Sequence, residues 1–124
     1  MEDAEIIRRR LRAREEAIRR VRSFAESLRG RYAVVLVGSY ARGDFNVWSD
    51  VDVVVVGDFA GNPLERLKGI DAPPGFEIIP LTPAELVERA LKRDPLALEV
   101  LSTGVVVRDD FGLVERLKAL GFRR

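Results

Sequence analysis

The chain has 124 residues, with 21 Lys and Arg against 20 Asp and Glu, and a net charge of +1 gives no global attraction for nucleic acid. It contains no Cys, which excludes disulfides, zinc-thiolate sites and thiol nucleophiles, and no His, which removes the commonest general base and every imidazole metal ligand. Any chemistry therefore runs on carboxylates, hydroxyls, Lys, Arg or a bound metal, and this length predicts one domain, residues 1–124.

Residues 1–31 hold ten Arg and six acids. Ile7, Leu11, Ile18, Val21, Ala25 and Leu28 recur at helical spacing, Arg14 interrupts the stripe, and Gly30 supplies a stop; one long helix is predicted over 3–29. Such a helix covers one side of a sheet or meets a partner helix. Arg8–Arg10, Arg12 and Arg14 offer a contact for RNA, but their alternation with Glu makes a solvated face the expected outcome. Direct nucleic-acid binding is not expected. Tyr32–Val37 and Val51–Val56 are apolar on both faces, as buried central strands are. The apolar runs Val34–Val37 and Val53–Val56 are too short to span a bilayer, and the charged N-terminus lacks a signal-peptide core. A cytoplasmic protein without a membrane segment is the expectation.

Between those strands, 38–49 must turn the chain, with Ser39 as N-cap of a helical turn Tyr40–Arg42. A loop over 57–63, a helical piece Leu64–Lys68 and a second loop over 71–75 lead to a third strand, Phe76–Leu81. Thr82-Pro83-Ala84-Glu85 is a capping box with Pro at the first helical position, predicting a helix Pro83–Arg93. Pro95–Thr103 reads as a further helix closed by Gly104, Val105–Arg108 as a short strand, and Phe111–Leu120 as a terminal helix. The order implies an α+β layer fold, a small mixed sheet with helices packed on it. It divides into an N-terminal helix (1–30), a core (31–108) and a C-terminal helix (109–124). Gln is absent and Asn occurs only at Asn46 and Asn62, while Arg, Glu and Val abound, a composition that suits a thermophile.

The chemistry concentrates around the first turn. A buried strand delivers the chain to Gly38-Ser39, where a residue without Cβ lets backbone amides approach a ligand, and a helical turn starting there presents unpaired N–H groups to phosphate. Ser39 adds a hydroxyl, and Arg42 a guanidinium able to fork onto phosphate oxygens. Side chains alternate along a strand, so Asp50 and Asp52 share one face while Val51 points into the core. Two carboxylates so placed repel each other when ionised and become comfortable around a divalent cation. Mg²⁺ fits best, because it binds through one or two carboxylates together with substrate phosphates. Taken alone, a Gly-Ser turn is usually only a turn and an Asp-x-Asp only a solvated strand entry. Their pairing across two apolar strands points to phosphoryl or nucleotidyl transfer.

The run Gly38-Ser39-Tyr40-Ala41-Arg42-Gly43 through Ser49-Asp50-Val51-Asp52 resembles the signature of the DNA polymerase β-like nucleotidyltransferase superfamily. More narrowly, it is similar to the minimal nucleotidyltransferases, called MNT proteins, of archaea and bacteria, closely over 33–56 and loosely to about residue 107. The resemblance implies a nucleotidyltransferase fold and a nucleoside triphosphate, ATP by expectation, held by Gly38 and Ser39. It implies two Mg²⁺ ions on Asp50 and Asp52, and transfer of a nucleoside monophosphate to an acceptor hydroxyl. It further implies a third carboxylate on a neighbouring strand, for which Glu77 is the well-placed candidate. The family more often has Asp there, and a plain exposed strand Glu is the alternative. Relatives of this kind commonly work with a helical HEPN-domain protein as antitoxin to its toxin, by binding it or by adenylylating a tyrosine on it. An interaction module without turnover and a homodimer through the N-terminal helix stand beside that reading. Asp44 and Asp58 read as solvated loop acids, and Trp48 as a residue of the core or a support of the site rather than a base-stacking platform.

Overall fold

The computed structural model describes residues 2–122. Its elements run α1 (Glu2–Ser27), β1 (Tyr32–Val37), α2 (Gly38–Arg42), β2 (Val51–Gly57), α3 (Pro63–Leu67), β3 (Phe76–Leu81), α4 (Pro83–Leu91), α5 (Pro95–Leu101), β4 (Val105–Asp109) and α6 (Leu113–Ala119). The strands form one mixed sheet in the order β3-β2-β1-β4. β1 is antiparallel to both β2 and β4, whereas β2 and β3 run parallel. The expected α+β layer architecture is thus present, with the long helix at its N-terminus.

The all-apolar strands take the two central places. Val34, Leu36 and Val53–Val56 are fully buried because helices cover both faces of the sheet. Val35, Val37, Val54 and Val56 pack with Leu86, Ala97, Leu101 and Leu117 from α4, α5 and α6 on one face. Val34, Leu36, Val53 and Val55 pack with Val21, Phe24 and Ala25 of α1 on the other. β3 and β4 are the edges and are only partly buried. An edge strand tolerates Pro80, whose missing N–H costs no ladder bond, and leaves Glu77 free to face outward.

The sequence expectations hold for every element, with shifts at the ends. α1 stops at Ser27 rather than 29, because the Arg108 guanidinium takes up the terminal carbonyls of Ala25, Leu28 and Gly30 at 2.6–2.8 Å. The Thr82–Glu85 capping box forms as expected, and α4 ends at Leu91, with Arg93 in the left-handed region. A second capping box, Asn62 with Glu65, starts α3 at Pro63 and draws that residue out of the expected loop. α6 begins at Leu113 instead of Phe111, since the Asp109 carboxylate accepts from the N–H groups of Leu113 and Val114. At about 1.5 Å per residue, 26-residue α1 is roughly 39 Å long and outreaches the sheet. Ala17, Val21, Phe24 and Ala25 are buried, whereas Ile6, Ile7 and Leu11 are exposed.

Candidate active site

The site begins where β1 ends. Gly38 is buried at φ 75°, and a Cβ there would overlap a carboxylate oxygen of Asp52 and stand 3.1 Å from its Cγ. Only glycine fits this turn, on conformational and on steric grounds. Gly38 is also the first residue of α2, and Val37 takes the cap position without a side-chain bond. Ser39 is therefore not the N-cap. It lies inside the helix, half-exposed, and among the described residues no group accepts from its hydroxyl. Gly43, at φ 90°, closes α2 by donating to the Ser39 carbonyl at 2.8 Å.

A five-residue helix does not hold itself, and here α1 supports it. Arg14 donates to the carbonyls of Tyr40 and Ala41, each at 3.0 Å. Arg10 donates to those of Gly43 (2.9 Å) and Phe45 (2.7 Å), its guanidinium stacked on the Phe45 ring. Tyr40 stacks on Phe45 from α2, with centroids 4.2 Å apart. The break that Arg14 makes in the apolar stripe is thus structural: two of the expected solvated arginines hold α2 and the turn after it from the α1 side.

β2 lies beside that turn. Val37 pairs with Asp52 across the antiparallel ladder, and Asp52 pairs with Glu77 across the parallel one. The strand pairing sets Asp52 between the turn and Glu77. Val51 is buried, Asp52 is half-buried, and Asp50 is exposed just before the strand. Burial pushes the Asp52 carboxyl up to about 6, helped by the charge and hydrogen bonding of Glu77 and the charges of Asp50 and Glu99. The cluster holds more negative charge than its surroundings neutralise. Among the described residues no three acidic side chains close into a ready-made metal cage. A hard oxygen donor set of two carboxylates, to be completed by substrate phosphates, still suits Mg²⁺, which rarely uses an all-protein cage.

Sequence reasoning missed Glu99. From α5 its carboxylate accepts from the Gly38 N–H at 2.6 Å and from Arg42 at 2.8 Å. Arg42 also meets Asp44 at 3.3 Å, and Asp44 and Glu99 together hold the guanidinium firmly charged. Nothing local in Leu98-Glu99-Val100 signals this role, which depends on the packing of α5 against β1. Asp44 is therefore a partner of Arg42 rather than a free turn acid. Trp48 is neither core nor support, being 88% exposed on a turn built around Asn46, whose side-chain oxygen accepts from the Trp48 N–H at 2.8 Å.

The arrangement defines a class of protein: an α+β layer fold in which a glycine turn at the end of β1 lies against the carboxylate at the start of β2. Residues 18–118 match the nucleotidyltransferase domain family, and the chain belongs to that family. A candidate protein adenylyltransferase of Methanocaldococcus jannaschii is 40% identical over 43 residues, 31% of this chain and 43% of that relative. The alignment thus spans less than half the relative's length. A crystal structure assigned as a nucleotidyltransferase from Sulfolobus solfataricus is 24% identical with a TM-score of 0.49, covering 81% of this chain and 83% of that one. A toxin–antitoxin structure with AMP-PNP is 13% identical with a TM-score of 0.49, covering 83% of this chain and 85% of that one. No helix among the described residues is long and apolar enough to cross a membrane.

Proposed function

We propose that the protein is a Mg²⁺-dependent nucleotidyltransferase of the minimal kind that moves AMP from ATP to an acceptor hydroxyl. The observation that supports this reading is the close approach of the Gly38 turn to Asp52, where a Cβ on residue 38 would meet the carboxylate. Gly38, Ser39 and Arg42 bind the triphosphate through a backbone N–H, a hydroxyl and a guanidinium, the first and last of which converge on one carboxylate oxygen of Glu99. Asp50 and Asp52 hold the metal, and Glu77 stands as a third carboxylate, next to Asp52 in register. Bound Mg²⁺, two ions by expectation, supplies Lewis-acid charge at the phosphates and lowers the pKa of the attacking hydroxyl. The acceptor oxygen bonds to the α-phosphorus, the bond from that phosphorus to the β-bridging oxygen breaks, and pyrophosphate leaves. The hydroxyl proton passes to a carboxylate of the Asp52–Glu77 pair or to water. ATP as donor follows the M. jannaschii relative.

A tyrosine on a helical HEPN-type partner is the acceptor in this reading. A second reading, a docking module that acts without turnover, is favoured by one observation. Ile6, Ile7 and Leu11 on the projecting half of α1 are exposed, as are Val47 and Trp48 on the neighbouring turn. They offer a surface to such a partner or to a second copy of the chain. Melting the protein with and without Mg²⁺ and ATP tests the nucleotide-binding premise of the first reading, which a module that binds nucleotide without turnover shares. Saturation at a hundred times Kd adds about 2.7 kcal/mol of stability, and Asp50→Ala and Asp52→Ala lose that gain. No stabilisation of the wild type leaves the docking module alone.

A further inference from the structure

Glu99 is built into the Gly38 turn. Its side chain is 22% exposed, and one carboxylate oxygen, Oε2, accepts from both the Gly38 N–H and the Arg42 guanidinium. Those are two of the three groups assigned above to the triphosphate. A carboxylate oxygen and a phosphate oxygen are the same kind of partner for them, anionic acceptors of short, charge-assisted bonds. Both cannot occupy the seat at once.

We propose that Glu99 is an internal stand-in for the nucleotide's phosphate, seated on the Gly38 N–H and Arg42 until the Mg²⁺-bound triphosphate displaces it. The proposal rests on the phosphate-seat reading and adds a regulatory element to it. In the empty state Glu99 keeps the Gly38 N–H and Arg42 paired and so holds the turn in its binding geometry. It also blocks simple anions, which must compete without the help of the metal. Release of the side chain requires no movement of α5, because Ala97, Val100 and Leu101 anchor that helix in the core while Glu99 lies at its edge. Displacement lowers the apparent affinity by the fraction of time the seat is open. A seat open one-tenth of the time weakens binding about tenfold.

The test is the calorimetric affinity of the wild type, Glu99→Gln, Glu99→Ala and Glu99→Asp for tripolyphosphate and for ATP, each with Mg²⁺. Melting curves confirm that each variant is folded. All three variants are expected to bind both ligands about tenfold tighter than the wild type. Glu99→Asp is included because it keeps the charge but shortens the reach; a gain in Gln and Ala without one in Asp assigns the effect to charge repulsion and overturns the stand-in. Equal or weaker binding by the variants, with the wild type binding normally, makes Glu99 a support of the turn and overturns the proposal alone. Tightening for ATP but not for tripolyphosphate places the effect away from the phosphates and overturns it as well. If neither the wild type nor any variant binds either ligand, the phosphate seat falls, and Glu99's role falls with it.

Discussion

Replacing Asp52 with Asn keeps the shape of the side chain and removes the charge that the cluster tolerates least. The Asp52 carboxyl is raised from 3.8 to about 6, so the folded protein holds its proton more tightly than the unfolded chain does. Stability from this group is therefore fully present below pH 4. It falls as the pH rises toward 6 and stays at its lower level above that. A rise of about two pH units corresponds to about 3 kcal/mol at 1.4 kcal/mol per unit, and solvent screening of a half-exposed group reduces this to about 1–2 kcal/mol. Asp52→Asn is therefore expected to melt about 3–10 °C above the wild type at pH 7.5 without metal, and level with it at pH 4. Mg²⁺ with ATP then reverses the order at pH 7.5, stabilising the wild type and not the variant. The measurement is a calorimetric melting series from pH 4 to pH 8. A variant no more stable than the wild type at pH 7.5, or a gap that persists undiminished to pH 4, would refute an overcharged carboxylate cluster.

Three further outcomes follow from the geometry. Gly38→Ala meets both a left-handed backbone and the Asp52 carboxylate; a loss of about 1–3 kcal/mol in urea unfolding and loss of ATP binding are expected. Arg14→Ala uncaps the carbonyls of Tyr40 and Ala41, costing about 1–3 kcal/mol and weakening ATP binding although Arg14 touches no ligand; Arg12→Ala, fully exposed on the same helix, changes neither. Glu85 is held down to about 2, first by its hydrogen bond with Arg66 and then by the Thr82 N–H. Its share of stability is present above pH 4.5 and lost as the pH falls toward 2, so the urea midpoint difference between wild type and Glu85→Gln shrinks over that window. Discounted for exposure, that difference is about 1 kcal/mol at pH 7.

The central strands are legible because β1 and β2 are covered on both faces and Asp52, near the start of β2, is the one charged residue in either. The capping box at Thr82 and the glycine turn at Gly38 are legible for the same reason: each is a local pattern whose geometry is set within a few residues. What stayed hidden depends on distant packing. Arg10 and Arg14 look like solvated charges in an arginine-rich helix, and only the docking of α1 against α2 shows them supporting carbonyls 26 to 35 residues away. Glu99 lies 61 residues beyond Gly38 and has no neighbouring motif. Trp48 was misplaced because an aromatic residue between apolar elements usually packs inside, whereas the Asn46 turn throws it outward.

The central claim is metal-dependent transfer of the α-phosphoryl group at Asp50 and Asp52. Its most direct test is parallel incubation with ATP labelled on the α- or the γ-phosphate, in the presence of Mg²⁺ and a HEPN-type partner protein from the same genome. Label from the α-phosphate alone should become covalently bound to that protein with release of pyrophosphate, and should vanish in Asp50→Asn, in Asp52→Asn and with chelator. Incorporation of the γ-label, or α-label that persists in both variants, would contradict the account.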